Sequence, residues 1–286
     1  MTSIPNSISS HYQIRPQQCQ LLAGGDINDV YCIELNTNEK VVLKINDADE
    51  FPKMFEAEAE GLELLKQSGS FRIPKVRSVV QLDTYQILEL EYLATGIPND
   101  DFSEVFGSQL AILHQNQKEN FGGVNDNYIG SIPQSNQSHP TWTDFFISER
   151  LIPLIKRAFD QRLIDTTERK QAESFFAFVD QLWPKEKASL IHGDLWSGNY
   201  MILSNGQPAL IDPAVYFGHR EMDIGMMHLF GGFDPDIFES YQNLYPLESG
   251  WQKRIPYNQV YPLLVHLCLF GRGYWSRIDE IIDEFY

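Results

Sequence analysis

The stretch from Leu190 to Ile211 most narrowly limits what this chain can fold into, and it reads LIHGDLWSGNYMILSNGQPALI. Short apolar runs lie on both sides of a polar loop, 192–199, and a third apolar run follows a Ser-Asn-Gly turn and ends at Asp212. Apolar runs bounded by turn residues are typical of buried strands. The pattern therefore predicts a strand, a polar loop, two strands joined by a tight turn, and an acidic residue after the last strand.

Three polar side chains on this frame suit phosphoryl transfer to a hydroxyl group. Such a transfer needs one carboxylate to accept the hydroxyl proton, and an amide oxygen with a second carboxylate to hold Mg²⁺ against the phosphates. Asp194, Asn199 and Asp212 supply these groups, with Asn199 five residues after Asp194 and Asp212 thirteen after Asn199. The spacing H-x-D-x-x-x-x-N resembles the catalytic loop of protein kinases, and IDP stands where DFG would stand. An acidic hairpin without a catalytic role is the competing interpretation, and three residue types at three fixed offsets count against it.

Length, charge and cysteine content limit the class of protein. The 286 residues suffice for one large domain or two small lobes, and the net charge of −17 argues against nucleic acid or an anionic membrane as partner. Cys19, Cys32 and Cys268 form no C-x-x-C pair, which indicates reduced thiols. The N-terminus does not have the pattern of a signal peptide, and the apolar run 261–270 is too short to span a bilayer. We therefore expect a soluble, cytoplasmic protein.

A glycine-led turn and a lysine in the first part of the chain form a second candidate site. Gly24 and Gly25 lie between two predicted strands, and a third predicted strand ends around Lys44. Glycines at such a turn let backbone N–H groups approach phosphates, and a third-strand lysine pairs with the α- and β-phosphates in kinases. The glycine pair alone would indicate only a turn, so its weight comes from Lys44.

The segment 51–67 has helical periodicity and offers a partner for this lysine. Its glutamates include Glu56 and Glu58, and only Glu58 falls on the apolar stripe, three residues after Phe55 and four before Leu62. The pattern therefore predicts that Glu58 points toward the sheet and orients Lys44, with Glu56 as second choice.

Two further predicted strands end at a short linker, where the pattern changes from strand to helix. In a two-lobed kinase this linker is the hinge, and backbone groups near Glu91 and Leu93 would bond the adenine edge. We predict an α+β, two-lobed, protein-kinase-like fold. The N-terminal nucleotide-binding lobe (1–93) would hold a small antiparallel sheet with one main helix, and the C-terminal catalytic and substrate-binding lobe (94–286) would be larger and mostly helical.

Two further features lie in the predicted C-terminal lobe. A predicted buried helix after Asp212 carries Asp223 among apolar residues, and buried carboxylates normally have donors. We predict that Asp223 is a structural brace that accepts from the catalytic-loop backbone. The polar segment 119–141 is either a functional loop or an ordinary surface loop. The seven histidines form no metal-binding motif of the H-E-x-x-H kind.

With these pieces placed, the chain resembles the fructosamine kinases (ketosamine-3-kinases) of the protein-kinase-like superfamily. The resemblance covers nearly the whole chain in order, and HGDLWSGN and NYIG…PQSN are more specific than the general kinase pattern. Aminoglycoside and choline kinases resemble it only at the H-G-D-x-x-x-x-N core and the acid that follows. The segments that carry the resemblance are GGDIND, VVLKIN, MFEAEAEGLELL, LAILH, FGGVNDNYIGSIPQSN, WTDFFISERL, LIHGDLWSGN, IDPAVYFGHREMDIGMMHLFGGF and YPLLVHLCLFGRGY.

The resemblance implies ATP- and Mg²⁺-dependent phosphorylation of the sugar 3-hydroxyl of ketosamines, free or protein-bound, which is a deglycation reaction. It makes Asp194 the base. Lys44 with Glu58 would bind the ATP phosphates, and Asn199 with Asp212 would bind Mg²⁺. It also implies that four residues line the sugar pocket: Trp196, Gln134, Asn136 and His266. An indole beside the catalytic Asp suits packing on sugar C–H groups, although core packing is an alternative for Trp196 and for His266.

One departure and two alternatives accompany this interpretation. Several family members carry a cysteine in the phosphate loop that forms a redox-sensitive intermolecular disulfide, whereas this chain has Asp26 after Gly25. The alternatives are an aminoglycoside- or choline-type small-molecule kinase, and a pseudokinase that serves as a binding module. The sequence leaves open the preferred sugar, the carrier amine and the oligomeric state.

Overall fold

A five-stranded antiparallel sheet dominates the first part of the chain. The computed structural model describes residues 4–15, 18–22 and 27–285. A short helix, α1 (Asn6–His11), precedes the sheet. The strands are β1 (Cys19–Leu21), β2 (Asp29–Glu34), β3 (Lys40–Asp47), β4 (Val76–Leu82) and β5 (Tyr85–Glu91). Their order across the sheet is β1-β2-β3-β5-β4, so β3 lies at the centre. The Gly24-Gly25 turn predicted for phosphate binding lies outside the described residues.

Alternation along the strands gives the two faces of this sheet different partners. One face of β3, with Val41 and Leu43, packs with Ile8 of α1 in a small core of its own. The other face packs against helix α2 (Met54–Gln67), which contributes Phe55 and Leu62 to the main core. Since successive side chains of a strand point to opposite faces, the residue after Leu43 must point toward α2.

The second part of the chain is mostly helical and contains small sheets. Its first elements are α3 (Phe102–His114), β6 (Gln117–Lys118), β7 (Asn127–Ile129), β8 (Ile132–Gln134), α4 (Trp142–Phe145), a π-helical turn (Phe146–Leu151), α5 (Ile152–Asp160), α6 (Thr166–Ser174) and α7 (Val179–Leu182). Its remaining elements are β9 (Ala188–Ile191), β10 (Tyr200–Ile202), β11 (Pro208–Leu210), β12 (Tyr216–Gly218), α8 (Glu221–Phe230), α9 (Pro235–Leu244), α10 (Trp251–Phe270) and α11 (Trp275–Ile282). In the described part of the chain, none of these helices has the length and apolar character needed to cross a membrane.

The stretch from Leu190 to Ile211 folds as the sequence pattern predicts. Strand β9 pairs with β12 and β6, the polar loop follows it, and β10 and β11 form an antiparallel hairpin. This hairpin also holds the segment after the first sheet, because Gly96 N donates to Ile202 O at 2.9 Å and Ser204 N donates to Ala94 O at 2.8 Å. The predicted α+β class, a small antiparallel sheet with one main helix followed by a larger and mostly helical part, is confirmed. The boundary between residues 93 and 94 stays a prediction.

Candidate active site

A cleft of about 810 Å³ lies between the five-stranded sheet and the catalytic loop. This volume falls in the range of pockets that enclose a small-molecule ligand. The predicted residues that line it are Lys44, Glu58, Glu91, Leu93, Asp194, Trp196, Asn199 and Asp212. Residues separated by more than 160 positions in sequence therefore meet in one cavity, and the predicted nucleotide, metal and catalytic groups share it.

A buried lysine joins the sheet to the end of the catalytic stretch. Lys44 Nζ lies 2.8 Å from both carboxylate oxygens of Glu58 and 3.1 Å from Asp212 Oδ1. Burial alone lowers the pKa of Lys44, but the carboxylates of Asp212 and Glu58 outweigh it and raise that pKa above its ordinary value. The ammonium group is therefore charged at neutral pH. The contact predicted from the helical stripe between Glu58 and Lys44 is present.

Asp212 has an unusual backbone that turns its carboxylate into the cleft. Its φ is +53°, in the left-handed region that residues other than glycine seldom occupy, and the next residue is Pro213. Hydrogen bonds on both sides hold it, from Ile211 N to Asn199 O at 3.0 Å and from Ala214 N to His192 O at 2.9 Å. The side chain stays 45% exposed although Lys44 binds one of its oxygens. Backbone strain of this kind is often found where a functional group must be held in place.

Asn199 orders the catalytic loop through its side-chain amide. Its Nδ2 donates to Asp194 O at 2.8 Å, to Asp194 Oδ2 at 2.9 Å and to Asp212 O at 3.4 Å. Because the amide nitrogen is committed to these three oxygens, the amide oxygen is the atom that remains for a cation. Asn199 therefore fixes the spacing between the two carboxylate residues.

The environment of Asp194 favours proton transfer near neutral pH. Burial raises the pKa of this carboxyl group to about 7, the hydrogen bond from Asn199 lowers it, and the negative charges of Asp212 and Asp223 raise it further. A general base works best when its pKa lies near the operating pH. The proton affinity of Asp194 therefore suits the predicted role of a base.

The buried carboxylate of Asp223 anchors the loop that carries Asp194. Asp223 Oδ2 accepts from His192 N at 2.8 Å and Asp223 Oδ1 accepts from Gly193 N at 2.9 Å. The buried imidazole of His114 contacts Asp223 Oδ2 at 3.2 Å and the hydroxyl of Tyr241 at 2.9 Å. Burial raises the pKa of Asp223, but its bond with His114 and nearby charge outweigh this and leave the pKa below its usual range. The predicted brace between Asp223 and the catalytic-loop backbone is confirmed.

The indole of Trp196 lies over the catalytic loop at the mouth of the cleft. A Cβ atom added to Gly198 would lie 2.3 Å from a ring carbon of Trp196, so only glycine leaves room for this position. The ring is 39% exposed and meets Phe230 edge-on, with 6.5 Å between ring centroids. Trp196 is therefore not an ordinary core residue, since its ring remains available to a ligand.

A small cavity of about 20 Å³ lies beside Asp194. Its other walls include Gly193, Tyr216, Tyr261 and His266. The Nδ1 of His266 lies 2.7 Å from Pro262 O, one turn earlier in α10, and burial lowers the pKa of this histidine. The imidazole is therefore neutral at physiological pH. His266 and Asp194 line the same small cavity, and the predicted place of His266 in a sugar pocket stays a prediction.

The structure places Gln134 and Asn136 behind the cavity walls rather than on them. Gln134 Nε2 donates to Asn127 Oδ1 at 2.7 Å, and its Oε1 accepts from the hydroxyl of Tyr261. Asn136 Oδ1 accepts from Arg150 Nη2 at 2.6 Å. Cross-strand pairing of Asn127 with Gln134 turns this amide inward, so both predicted pocket residues are buried and hydrogen-bonded to the protein.

Sequence reasoning missed Tyr261 and Arg150, which support the small cavity. Arg150 is 1% exposed, and its guanidinium lies 4.1 Å from the ring centroid of Tyr216. Arg150 Nη1 also donates to Ser135 O at 2.6 Å. The only signal for Arg150 was its place in the segment WTDFFISERL, which gives no indication of what the side chain contacts.

The two residues predicted to flank the adenine edge, Glu91 and Leu93, contact the protein through their side chains. Glu91 accepts from the Arg72 guanidinium and from Lys75 N, the latter at 3.1 Å. Leu93 is buried and lines the cleft. A ligand in this part of the cleft would therefore be contacted by backbone groups and by the side chain of Leu93.

The donor set fits a hard divalent cation that binds together with phosphates. In the ranges 4–15, 18–22 and 27–285 there is no group of three or more His, Cys, Asp and Glu side chains placed to hold a metal. Mg²⁺ is commonly held by one or two carboxylates plus substrate phosphates, with oxygen ligands only. The carboxylate of Asp212 and the amide oxygen of Asn199 match that pattern.

Comparison with known proteins identifies the family. The fructosamine kinase family model matches residues 2–286. The chain belongs to the fructosamine kinase family. It is 39% identical to a probable ketoamine kinase of Vibrio parahaemolyticus over 92% of this chain and 90% of that protein. It is 33% identical to the chloroplastic protein-ribulosamine 3-kinase of Oryza sativa, over 92% of this chain and 77% of that protein.

Solved structures agree with this family and with the fold. A candidate fructosamine-3-kinase from Thermobifida fusca superposes with a TM-score of 0.83 at 32% identity, over 93% of this chain and 92% of that one. A macrolide 2′-phosphotransferase superposes with a TM-score of 0.61 at 15% identity, over 100% of this chain and 99% of that one, a likeness that shows the fold alone. The expected reaction class, phosphoryl transfer to a hydroxyl group by a fructosamine kinase, is confirmed. The alternative of an aminoglycoside- or choline-type kinase is not favoured.

Proposed function

We propose that this fructosamine kinase uses ATP and Mg²⁺ to phosphorylate the sugar 3-hydroxyl of ketosamines. The observation that carries the proposal is the convergence of Lys44, Asp194, Asn199 and Asp212 in one cleft, with the pKa of Asp194 near 7. Family membership supplies the substrate class. The two lobes, 1–93 and 94–286, would contribute the nucleotide clamp and the catalytic loop respectively.

The catalytic step assigns one role to each group. The sugar hydroxyl oxygen forms a bond to the γ-phosphorus, the bond from that phosphorus to the β–γ bridging oxygen breaks, and Asp194 takes the hydroxyl proton. Bound Mg²⁺ would neutralise negative charge on the phosphates. Asn199 and Asp212 would hold the metal, and Asn199 would also keep the Asp194 carboxylate aimed at the acceptor.

The nucleotide side of the cleft rests on Lys44 and the hinge. Lys44 would bind the α- and β-phosphates, with Glu58 holding the ammonium group in place. Backbone groups around Glu91 and Leu93 would bond the adenine edge. Gly24 and Gly25 would cover the phosphates, a role supported by their place in the sequence.

The acceptor side rests on aromatic and neutral groups beside Asp194. Trp196 would pack on sugar C–H groups at the mouth of the cleft, and His266 would line the small cavity. Gln134 and Asn136 would act one layer behind, Gln134 by holding the Tyr261 hydroxyl. Three unpaired cysteine thiols suit the reducing conditions of the cytoplasm, where we place the activity.

The test is ATP consumption with Mg²⁺ on a panel of acceptors. The panel contains ribulose-lysine, fructose-lysine, a glycated protein, kanamycin and choline. We expect turnover on the ketosamines only, with the product phosphorylated at the sugar 3-hydroxyl, as read by NMR. Turnover on kanamycin or choline alone would contradict the proposal, and binding of ATP without any turnover would indicate a binding module instead.

A further inference from the structure

Four aromatic side chains form a continuous surface that starts at the catalytic loop. We call Phe230, His266, Phe270 and Tyr274 the aromatic strip. The centroid of His266 lies 4.9 Å from that of Phe230, 5.4 Å from that of Phe270 and 5.2 Å from that of Tyr274. Phe230 is 45% exposed and Phe270 is 53% exposed. The strip joins the end of α8 to the end of α10 and the turn after it.

The strip reaches the acceptor region at two points. Phe230 meets the Trp196 ring, which lines the cleft, and His266 lines the small cavity beside Asp194. Among the described Phe and Trp residues, only Trp196, Phe230 and Phe270 are exposed. All the exposed described residues of these two types therefore belong to one set of contacting rings that adjoins the acceptor region. Grouped exposed aromatic rings are characteristic of binding surfaces.

We propose that the aromatic strip binds the polypeptide lysine side chain that carries the sugar of the ketosamine substrate. This proposal rests on the proposed function, since it extends the same acceptor site beyond the sugar. The amine that joins the sugar to the lysine is protonated at neutral pH, and a cation over an aromatic face is attracted by the ring. The lysine methylenes would pack on the same rings.

Charge on and around the strip suits a cationic partner. The net charge of the chain is −17, which favours approach of lysine-bearing molecules. His266 stays neutral because burial lowers its pKa, so it does not repel an amine. The nearest arginine in sequence, Arg272, is already bound to Glu168 and donates to Leu163 O at 2.6 Å.

The length of the strip favours a lysine within a polypeptide over a free amine. The four-carbon stem of lysine spans about 5 Å when extended. The ring centroids lie 6.5 Å apart for Trp196 and Phe230, 4.9 Å for Phe230 and His266, and 5.4 Å for His266 and Phe270. Since each separation is about the length of one stem, one stem cannot contact all of these rings at once, and the exposed ring of Phe270 is placed to contact main chain and neighbouring side chains.

The experiment compares three ribulose adducts that differ only in the carrier. The carriers are methylamine, Nα-acetyl-lysine and a lysine in the middle of a short peptide, and each is tested with wild type and Phe270→Ala. We expect the wild type to show its lowest KM for the peptide adduct. Phe270→Ala should raise that KM about two- to fivefold, with kcat and the KM for the methylamine adduct unchanged. Ile152→Ala, a change of an apolar residue 46% exposed on α5, is the matched control and should alter none of these values.

A binding measurement separates failure of this proposal from failure of the proposed function. Titration calorimetry with the peptide adduct, in the absence of nucleotide, should show a Kd that Phe270→Ala raises by the same factor as the KM. Equal KM for all adducts, with Phe270→Ala behaving as Ile152→Ala, would overturn the strip proposal while the kinase activity stands. Equal weakening on acetyl-lysine and peptide adducts would overturn the polypeptide assignment. No turnover on any ketosamine would overturn the proposed function, and the strip proposal with it.

Discussion

At the scale of single residues, the unusual proton affinity of Asp194 connects chemistry with stability. A carboxyl group whose pKa is raised on folding binds its proton more tightly in the folded state than in the unfolded chain. Its ionisation therefore destabilises the fold, increasingly as the pH rises from about 4 to about 7, where Asp194 titrates. The ionised form of Asp194, which the proposed mechanism uses as the base, is thus the form that the fold tolerates least.

Asp194→Asn separates these two effects. We expect turnover to fall by about 10²- to 10⁴-fold, the range for loss of a general base, while the free energy of unfolding at pH 8 rises by roughly 1–3 kcal/mol. In the wild type, kcat/KM should fall as the pH drops below about 7. Asp49→Asn, which changes an exposed carboxylate, is the control and should leave both rates and stability alone. Retained turnover would exclude Asp194 as the base.

Lys44 has a second role as the partner of a buried carboxylate. Lys44→Met should abolish turnover and lower the free energy of unfolding by about 3 kcal/mol, because Glu58 stays buried without its counter-charge. Adding Glu58→Gln should recover much of the stability and none of the activity. Lys156→Met removes an exposed ion pair with Asp160 and should cost about 0.5 kcal/mol at most. Equal losses at Lys44 and Lys156, measured by urea unfolding, would contradict this account.

At the scale of elements, the catalytic loop depends on helix α8 for its position. Asp223 accepts from two loop N–H groups and contacts His114 on α3, so three elements meet at one carboxylate. Only a group with acceptors on both oxygens can satisfy all these donors. The loop geometry is therefore set by the packing of α3 and α8 as well as by its own sequence.

Asp223→Asn tests this dependence. The substituted amide would turn an N–H group toward a buried donor, so we expect a loss of about 1–3 kcal/mol of stability and a lower kcat, with nucleotide affinity unchanged. Asp234→Asn changes another hydrogen-bonded aspartate, the N-cap of α9, where asparagine caps equally well. That control should stay within about 0.5 kcal/mol of wild type. An Asp223→Asn protein with normal kcat would exclude the brace as a requirement for turnover.

Local sequence patterns predicted the main secondary-structure elements and two side-chain contacts. The features that the sequence did not indicate depend on tertiary packing. Periodicity selected Glu58 because a helix repeats its buried face every three or four residues, and the need of a buried carboxylate for donors predicted the brace at Asp223. The sequence did not indicate which way the Gln134 side chain faces, because its orientation follows from pairing with Asn127 across a hairpin. The aromatic strip joins residues on two helices separated in sequence, and the left-handed backbone of Asp212 has no signature in residue type.

At the scale of the whole molecule, buried histidines make the fold sensitive to acid. His114, His192 and His219 are each 1% exposed or less, and burial lowers the pKa of each. The unfolded chain binds protons at these positions near pH 6.5, whereas the folded protein resists them. Stability is therefore full above pH 6.5 and is lost as the pH falls below it. Asp194 acts in the opposite direction between pH 4 and about 7, because the folded protein binds its proton more tightly than the unfolded chain does.

The resulting prediction concerns stability between pH 7.5 and 5.5. We expect the free energy of unfolding to fall by on the order of 2 kcal/mol over this interval, since each buried histidine contributes up to about 1.4 kcal/mol per pH unit and Asp194 offsets part of the sum. The Asp194→Asn protein lacks the offset and should lose about 4 kcal/mol. His11→Asn also introduces an asparagine, in place of an exposed histidine, and serves as the control variant. Urea unfolding at 0.15 M salt, where long-range repulsion among the acidic surface groups is largely screened, measures all three slopes. A stability that stays constant or rises toward pH 5.5 would show that the buried histidines become protonated in the folded protein.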